Sequence, residues 1–549
     1  MPAVQLAKVE GREAFDNRRE VDEVDAAVEE PWSRHSHASA ELQILARAEF
    51  ESILDFVEGT RAAESYAAVE AKLIRRVFRL GRVLVALILA WMAEGVEVPL
   101  HVKRGRKEFR RQPPKPRQLG TFFGKVRYWR AYMHQLTGRG GGYYPLDLKL
   151  GLTADGFSLG LLSRAAQLAT KMSFSVAARV MASFLGWAPA TKSIERAVLG
   201  LGAHSQAWFE SAGVPDDDGE VLVIQIDSKA TPTATVSELR KRRGKRAKEL
   251  RAPSPRHRGR DQRDRRGKKK RRKKGDKSKN GKMATLVVMY TLKRAEAADG
   301  SGLLLGPINR QIYASYAPKR HAFAIARRQA DDRGFARDSG KLIQIVTDGD
   351  EDLASYRVEF FPEATHTLDV VHVVERLWSA AGCLFREGSQ QLEDWVERQK
   401  AHLYAGRIGD LLLELETEFQ ALPPGPNRKR LDAILNYLVK RDTMMNYDQL
   451  AAQDLELSSG IVEGAVRYVI AQRFDEGGMR WIKERAEALL QLRCIEINGD
   501  WERFVQFVHD RVAAEQQRRL RPTRLLLKRP KPLPVLVRRS VDPTPVSRA

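Results

Sequence analysis

Three acidic residues in three distant stretches have the surroundings that carboxylate chemistry requires. Asp227 follows the apolar run VLVIQI (Val221–Ile226). Asp348 follows KLIQIVT (Lys341–Thr347) and precedes Gly349, and Glu463 lies within SSGIVEGAVRYVIAQRF (Ser458–Phe474). An ionised carboxylate beside a buried strand costs on the order of several kcal/mol unless a metal, a hydrogen-bond donor or a cation meets it. Ligands of open α/β sheets collect outside the carboxyl ends of strands, so Asp227 and Asp348 converge if their strands are neighbours. Each also fits as a turn residue, Asp348 especially because Asp-Gly is a turn dipeptide. Asp350 and Asp352 compete with Asp348 from farther past the strand end. Glu463 falls beside the apolar face Val462, Val466, Val469 and Ile470 of a helix, with Arg467 four residues on, where the two side chains meet. A surface ion pair is the plainer outcome for those two. Three carboxylates brought together repel unless cations hold them, and oxygen-rich sites suit Mg²⁺ or Mn²⁺. Two such ions activate a water or a 3′-hydroxyl and stabilise the departing oxygen of an in-line phosphoryl transfer.

The elements that must position these groups form an α/β pattern. Val221–Ala230 reads as a strand buried on both faces. ATLVVMYTL, Asn309–Tyr316 and Lys341–Val346 supply further strands, ATHTLDV is extended, and Lys319–Gly334, Leu353–Phe360 and Val371–Ala381 read as helices. That order predicts a mixed sheet with an antiparallel start. Ser389–Asn446 is helical in pattern, broken at Pro423–Asn427, and reads as an insertion with no obvious catalytic group; Leu457–Leu492 is a long helical region. Upstream, Ala38–Glu97 has the periodicity of two or three amphipathic helices. Lys103–Arg117 reads as a basic linker that Pro113, Pro114 and Pro116 keep from being helical. Thr121–Met133 has the alternation of a hairpin.

Leu159–Met172, Ser173–Leu185 and Thr191–Leu201 follow as three helices, with Ser173 and Thr191 as N-caps. The last two match a helix-turn-helix, with Lys192, Ser193 and Arg196 exposed towards DNA, although a plain helical hairpin has the same signature. The expected organisation is a disordered 1–37, a helical 38–100, and a basic linker and hairpin over 101–150. A helix-turn-helix-like 151–215 precedes the first part of the catalytic core, 216–388, with a basic insertion at 240–282. A helical insertion at 389–450, the helix carrying Glu463 and the end of the core at 451–510, and a basic Pro-rich tail at 511–549 complete it.

Charge is unevenly placed. The formal net charge is +24, yet residues 240–282 alone carry +20, 103–117 carry +7 and 518–549 carry +9, leaving −12 for the remainder. An acidic body with basic arms suits a polyanion, because neutralised phosphates release counterions. The run Lys268, Lys269, Lys270, Arg271, Arg272, Lys273 and Lys274 is too like-charged to compact and is expected to stay disordered until it meets DNA. Two distant cysteines, Cys383 and Cys494, give no disulfide framework and no metal-ligand spacing, which fits a reducing cytoplasm. The longest apolar run, Val83–Ala93, is too short to cross a bilayer and reads as a buried helix, and no membrane role is expected.

Over roughly residues 140–500 the chain resembles the DDE transposases of bacterial insertion sequences, nearest the Kra-type family with relatives in the Mutator-like group. The resemblance rests on YYPLDLKLGL (Tyr143–Leu152), QIDSK (Gln225–Lys229), VTDGD (Val346–Asp350), the Phe361–His372 stretch with its LD-x-x-H ending, and Ser458–Trp481 with its GGMRW ending. It implies an RNase H-like core in which Asp227, Asp348 and Glu463 hold two Mg²⁺ (or Mn²⁺). Asp369 and His372 would form an accessory D-x-x-H element, with Arg467 beside the site, and Arg473 and Trp481 supporting the catalytic helix or touching DNA. The implied activity is cleavage and strand transfer on DNA carrying terminal inverted repeats, by a homo-oligomer in a bacterial, nucleoid-associated setting. Two departures stand out: Ser228 follows the first Asp where the family commonly has Gly, and Thr121–Tyr144 contains no cysteine, which excludes the zinc ribbon that relatives carry there. A non-catalytic DNA-binding derivative and a structure-selective RNase H-like nuclease are the alternatives.

Overall fold

The structure is a computed structural model that describes residues 39–60, 65–104, 106–137, 141–152, 155–211, 213–240, 281–295, 302–476 and 479–520. The N-terminal 1–37, the basic run with Lys268–Lys274 and most of the basic tail, all expected to be disordered or DNA-seeking, lie outside the described residues. The chain divides into two units, one of Met1–Leu119, Lys125–Gly156 and Arg511–Ala549, the other of Gly120–Gly124 and Phe157–Asp510.

In the first unit α1 (Ser39–Gly59) and α2 (Tyr66–Glu94) run antiparallel. Ser39 N–H and Oγ donate to the Glu94 carboxylate at 3.0 and 2.8 Å, and Arg79 pairs with Glu49 at 2.7 Å. β1 (His101–Arg104), β2 (Lys107–Thr121) and β3 (Gly124–Gln135) form a sheet in that order. The expected linker is therefore sheet. β1 pairs only with Lys107–Arg110, so Pro113, Pro114 and Pro116 fall where one side of β2 has no partner from β1 and the missing N–H breaks no ladder bond on that side. The YYPLD motif starts α3 (Pro145–Lys149), with Pro145 in the first turn. Buried Asp147 accepts from Tyr128 Oη (2.6 Å), Arg117 Nη1 (2.7 Å) and Arg130 Nε (2.8 Å), and the Arg130 guanidinium lies 3.6 Å from the Tyr144 ring centroid. That paired charge closes a small core of Ala86, Leu89, Leu119, Val126, Tyr128 and Leu146.

The second unit opens with α4 (Leu159–Lys171), α5 (Phe174–Leu185), α6 (Thr191–Gly202) and α7 (Ser205–Phe209). Ser158 and Ser173 cap α4 and α5 through their hydroxyls, whereas the residue capping α6 is Ala190, one before the expected Thr191. A mixed sheet follows: β4 (Val221–Pro232), β5 (Gly281–Arg294) and β6 (Leu304–Ser315), then α8 (Lys319–Asp332), β7 (Leu342–Thr347), α9 (Glu351–Phe360), β8 (Thr365–Leu368) and α10 (Val370–Leu384). The strand order is β6-β5-β4-β7-β8, antiparallel among the first three and parallel from β4 through β7 to β8. The helical stretch is α11 (Gln390–Tyr404), α12 (Ile408–Ala421), α13 (Pro426–Val439) and α14 (Tyr447–Ala452). α15 (Gly460–Ala465) runs into a π-helical segment, Val466–Asp475, and α16 (Lys483–Ile497) and α17 (Trp501–Leu520) end the described chain.

α6 packs on α4 and α16, so closely that a Cβ at Gly202 would stand 2.6 Å from the Ala488 Cβ. This corrects one expected DNA-facing residue. Ser193 is buried on that packed face with Ile194, Ala197 and Val198, and its Oγ accepts from Arg196 Nη2 at 3.3 Å; Lys192 and Arg196 are exposed.

Candidate active site

β4 and β7 are adjacent and parallel, with Gln225 opposite Val346. Counting two residues onward on each strand puts Asp227 and Asp348 level with one another, and neighbouring strands lie about 4.8 Å apart. β4 does not stop at Asp227. It continues to Pro232 against β5, with Asp227 opposite Leu286, while its pairing with β7 ends at Gln225. Ser228 is thus a strand residue rather than a turn residue. Its N–H donates to the Asp227 carboxylate and its Oγ bonds Thr285 Oγ1 at 3.2 Å. Burial pushes the Asp227 carboxyl above its ordinary range; the Ser228 N–H opposes this, and the charge of Asp348 adds to it. Asp348 Oδ1 accepts from Asp350 N–H at 3.0 Å. The competing acids are engaged elsewhere: Asp350 caps α9 and binds Lys319 Nζ at 2.8 Å, and Asp352 lies 3.6 Å from the same ammonium.

Glu463 comes from the first turn of α15 and faces α10, where His372 Nε2 stands 3.6 Å from its Oε1. His372 Nδ1 is 3.3 Å from Glu375 Oε2, so the imidazole bridges two carboxylates. Burial raises the Glu463 carboxyl; Asp369 and Asp227 raise it further while His372 lowers it. Ligand atoms of Asp369, His372 and Glu463 lie within 4.8 Å of one another. Asp369 is fully buried, however, and both its oxygens are in use. Oδ1 accepts from Val371 N–H at 2.8 Å at the head of α10, and Oδ2 accepts from Ser459 Oγ. Asp369 therefore ties α10 to the approach of α15.

The pairing expected between Glu463 and Arg467 is not among the ion pairs of the described residues. The chain turns π-helical at Val466, which moves a residue four positions on away from the α-helical face, and Arg467 is exposed. Arg473 is buried: its Nε donates to Ala169 O at 3.1 Å and its guanidinium lies 4.8 Å from the Trp481 ring centroid. Burial and neighbouring Arg493 lower its pKa to about 10. Trp481 is buried and extends the ladder beyond β4, its N–H donating to Pro232 O (3.2 Å) and its carbonyl accepting from Ala234 N–H (2.9 Å). Arg473 thus fastens the end of the π-helical segment to α4, and Trp481 fastens the chain after it to the end of β4.

Four further residues hold the site and have only faint sequence signals. Gln225, fully buried, donates through Nε2 to Tyr290 Oη (3.0 Å) and Ser458 O (3.1 Å) and accepts from Val462 N–H (3.0 Å). Gln344, also fully buried, donates to Thr367 Oγ1 and Glu456 O at 2.8 and 2.7 Å and accepts from Glu456 N–H at 3.0 Å. The two amides fasten residues 456–462 across the strands that carry Asp227 and Asp348. From the helical stretch, Tyr437 Oη donates to Asp348 O at 2.7 Å, and Arg441 Nε donates to Gly349 O at 2.8 Å. Gly349 has φ +81°, and a Cβ there would lie 2.6 Å from Arg441 Nε and 2.8 Å from Tyr437 Oη, so the turn after Asp348 requires glycine.

No protein-family model and no curated protein matches the chain. Among solved structures, the Drosophila P element transposase strand transfer complex is similar at 12% identity, covering 65% of this chain and 95% of that one, with a TM-score of 0.29. A similarity at that score carries no weight for fold or function. No helix among the described residues is long and apolar enough to cross a membrane.

Chemically, the arrangement gathers carboxylates whose burial and mutual repulsion leave them poorly compensated, with one imidazole beside them. An oxygen-rich cluster of that kind is suited to a hard divalent cation. The raised carboxyls of Asp227 and Glu463 fit this, since a cation would favour the charged form that burial and, after it, the neighbouring carboxylates disfavour.

Proposed function

We propose that the chain is a DDE-type DNA transposase of the kind carried by bacterial insertion sequences, nearest the Kra-type family, acting on terminal inverted repeats and target DNA. The observation that carries this is the level placement of Asp227 and Asp348 on adjacent parallel strands, with Glu463 brought in by a segment that Gln225 pins to the same strand. The sheet order, three antiparallel strands followed by two parallel ones, is compatible with an RNase H-like core. Asp227, Asp348 and Glu463 would hold Mg²⁺ or Mn²⁺, which would supply activation of a water or 3′-hydroxyl and charge stabilisation at phosphorus. The chain's own contribution is placement. The Gln225 and Gln344 bonds fix the approach of the Glu463 helix, Tyr437 and Arg441 fix the loop after Asp348, and His372 holds the Glu463 carboxylate from the α10 side.

The test uses the full chain and DNA bearing the inverted repeats that flank its own gene. Cleavage and end joining in Mg²⁺ or Mn²⁺ are expected, and Asp227→Asn, Asp348→Asn and Glu463→Gln each lower them at least about 100-fold while DNA affinity stays within a few-fold. Strand transfer retained in any one variant removes that residue from the triad. Salt-sensitive binding with no cleavage points to a non-catalytic DNA-binding derivative, and cutting of branched DNA without joining points to a nuclease.

A further inference from the structure

α10 carries two polar side chains four residues apart on one face, His372 and Arg376, of which only the first meets a carboxylate. Arg376 stands about 6 Å farther along the helix axis. Its guanidinium lies 3.5 Å from the ring centroid of Tyr437, the residue whose hydroxyl holds the Asp348 carbonyl. Arg441 lies 4.1 Å from the same centroid and donates to the carbonyls of Gly349 and Tyr437. Among the described residues neither guanidinium forms an ion pair, and Arg376 Nε is buried without a hydrogen-bond partner. His366 registers the imbalance. Its Nε2 is 3.0 Å from the hydroxyl of Thr347, the residue before Asp348, and burial followed by the charges of Arg357 and Arg441 lowers its pKa to about 4. Positive charge thus gathers around the turn after Asp348, although a cation drawn out of water normally has an anion beside it.

We propose that Arg376 is a substrate-positioning residue whose guanidinium takes one phosphodiester of the DNA strand entering the site, a role that rests on the reading of the site as one that receives DNA. A guanidinium is a planar fork of donors that meets two phosphate oxygens at once, and it keeps its charge throughout the physiological range. Stacking on Tyr437 fixes the fork before a strand arrives, so little side-chain freedom is left to lose on binding. The need for such a group follows from the site itself. Its carboxylates repel a phosphate, and a fixed cation beside them offsets that repulsion without taking the place of a metal ligand. Tyr437 then serves both sides, its hydroxyl holding the backbone of Asp348 and its ring holding the fork.

The test reads binding rather than cleavage. Fluorescence anisotropy is measured in Ca²⁺ on the full chain with duplex DNA ending in the inverted repeats that flank its own gene. A single neutral methylphosphonate replaces, one at a time, each phosphate within about six positions of the element end. The wild-type chain is expected to lose affinity about tenfold more at one phosphate than at its neighbours. Arg376→Gln is expected to bind that modified DNA and its unmodified counterpart equally. A residue that merely supported Tyr437 would weaken both DNAs alike and leave the tenfold difference in place. Arg376→Lys keeps the charge but not the fork, and is expected to retain about a threefold difference; it supplies the reading if Arg376→Gln fails to fold. A flat scan for the wild-type chain, a difference that persists in Arg376→Gln, or one undiminished in Arg376→Lys overturns the proposal, even where the wild-type chain cleaves and joins DNA. A chain that never cleaves but shows the coupling loses the transposase reading and keeps the phosphate site.

Discussion

An amide side chain buried in an apolar strand must satisfy both its donors and its acceptor, and Gln225 does so on the segment that carries Glu463. Gln225→Leu would leave the Ser458 carbonyl and the Val462 N–H without their partner in a dry environment. The expected cost is about 2–4 kcal/mol of stability, read as a lower thermal midpoint. A weaker Mn²⁺-induced rise of that midpoint should accompany it, because the Glu463 helix loses its tie to the Asp227 strand. A change of midpoint within error, with the Mn²⁺ response intact, would show that the amide is not what fixes the helix. At this scale the sequence was partly readable. Asp227 and Asp348 stand out because carboxylates follow apolar runs, and Glu463 because it borders an apolar helix face. Gln225 and Gln344 are visible too, as single polar residues inside VLVIQI and KLIQIV. Their partners were not readable, since they lie between 23 and 237 residues away in the chain. Asp369 shows the opposite limit: its neighbourhood to His372 and Glu463 suggests a ligand, but only the Val371 and Ser459 bonds reveal that its oxygens are already taken.

At the level of elements, alternation and apolar runs marked the strands and most helices to within a few residues, because burial patterning determines them locally. Three features escaped for physical reasons. The Pro-containing β2 looked like a linker because a proline in a strand is tolerated only where the pairing side is open, and pairing is not visible in one segment alone. The π-helical stretch after Ala465 keeps the composition of an α-helix while changing which side chains share a face. The helical stretch 389–450 seemed to bring nothing to the site, yet α13 and the turn after it grip the loop at Asp348 and Gly349 through Tyr437 and Arg441. That contact has a measurable consequence. Tyr437→Phe removes one hydrogen bond to the Asp348 carbonyl without changing the shape of the side chain, so stability should fall by only about 1 kcal/mol. Cation affinity, followed by Mn²⁺ titration, is expected to fall about tenfold, in the range seen when groups orienting a metal ligand are altered. A variant that loses stability but binds Mn²⁺ as tightly as before would make the tyrosine a purely structural contact.

For the whole molecule, the governing feature is the contrast between a body of negative net charge and a few strongly basic segments. The candidate site gathers carboxylates, which repel a phosphate backbone, so DNA must be held by other parts of the chain until cations offset that repulsion. The +18 carried by residues 241–280 enters the sequence between β4 and β5, the strand of Asp227 and its antiparallel neighbour. Any DNA attraction it exerts is therefore tethered close in sequence to the candidate site. Binding of this kind is governed by counterion release, with log K falling against log salt by about 0.9 per neutralised phosphate. If roughly a third of those charges meet phosphates, replacing 241–280 with a short neutral linker should reduce the magnitude of that slope by about 5. The measurement is a fluorescence-anisotropy titration of duplex DNA from 50 to about 300 mM KCl, made on both proteins with the divalent cation held constant. Loss of affinity should be similar for element-end DNA and unrelated DNA, because phosphate contacts carry no sequence information. An unchanged slope would mean that the basic segment does not meet the backbone, and that the chain's affinity for DNA has to come from the exposed cations of its folded units.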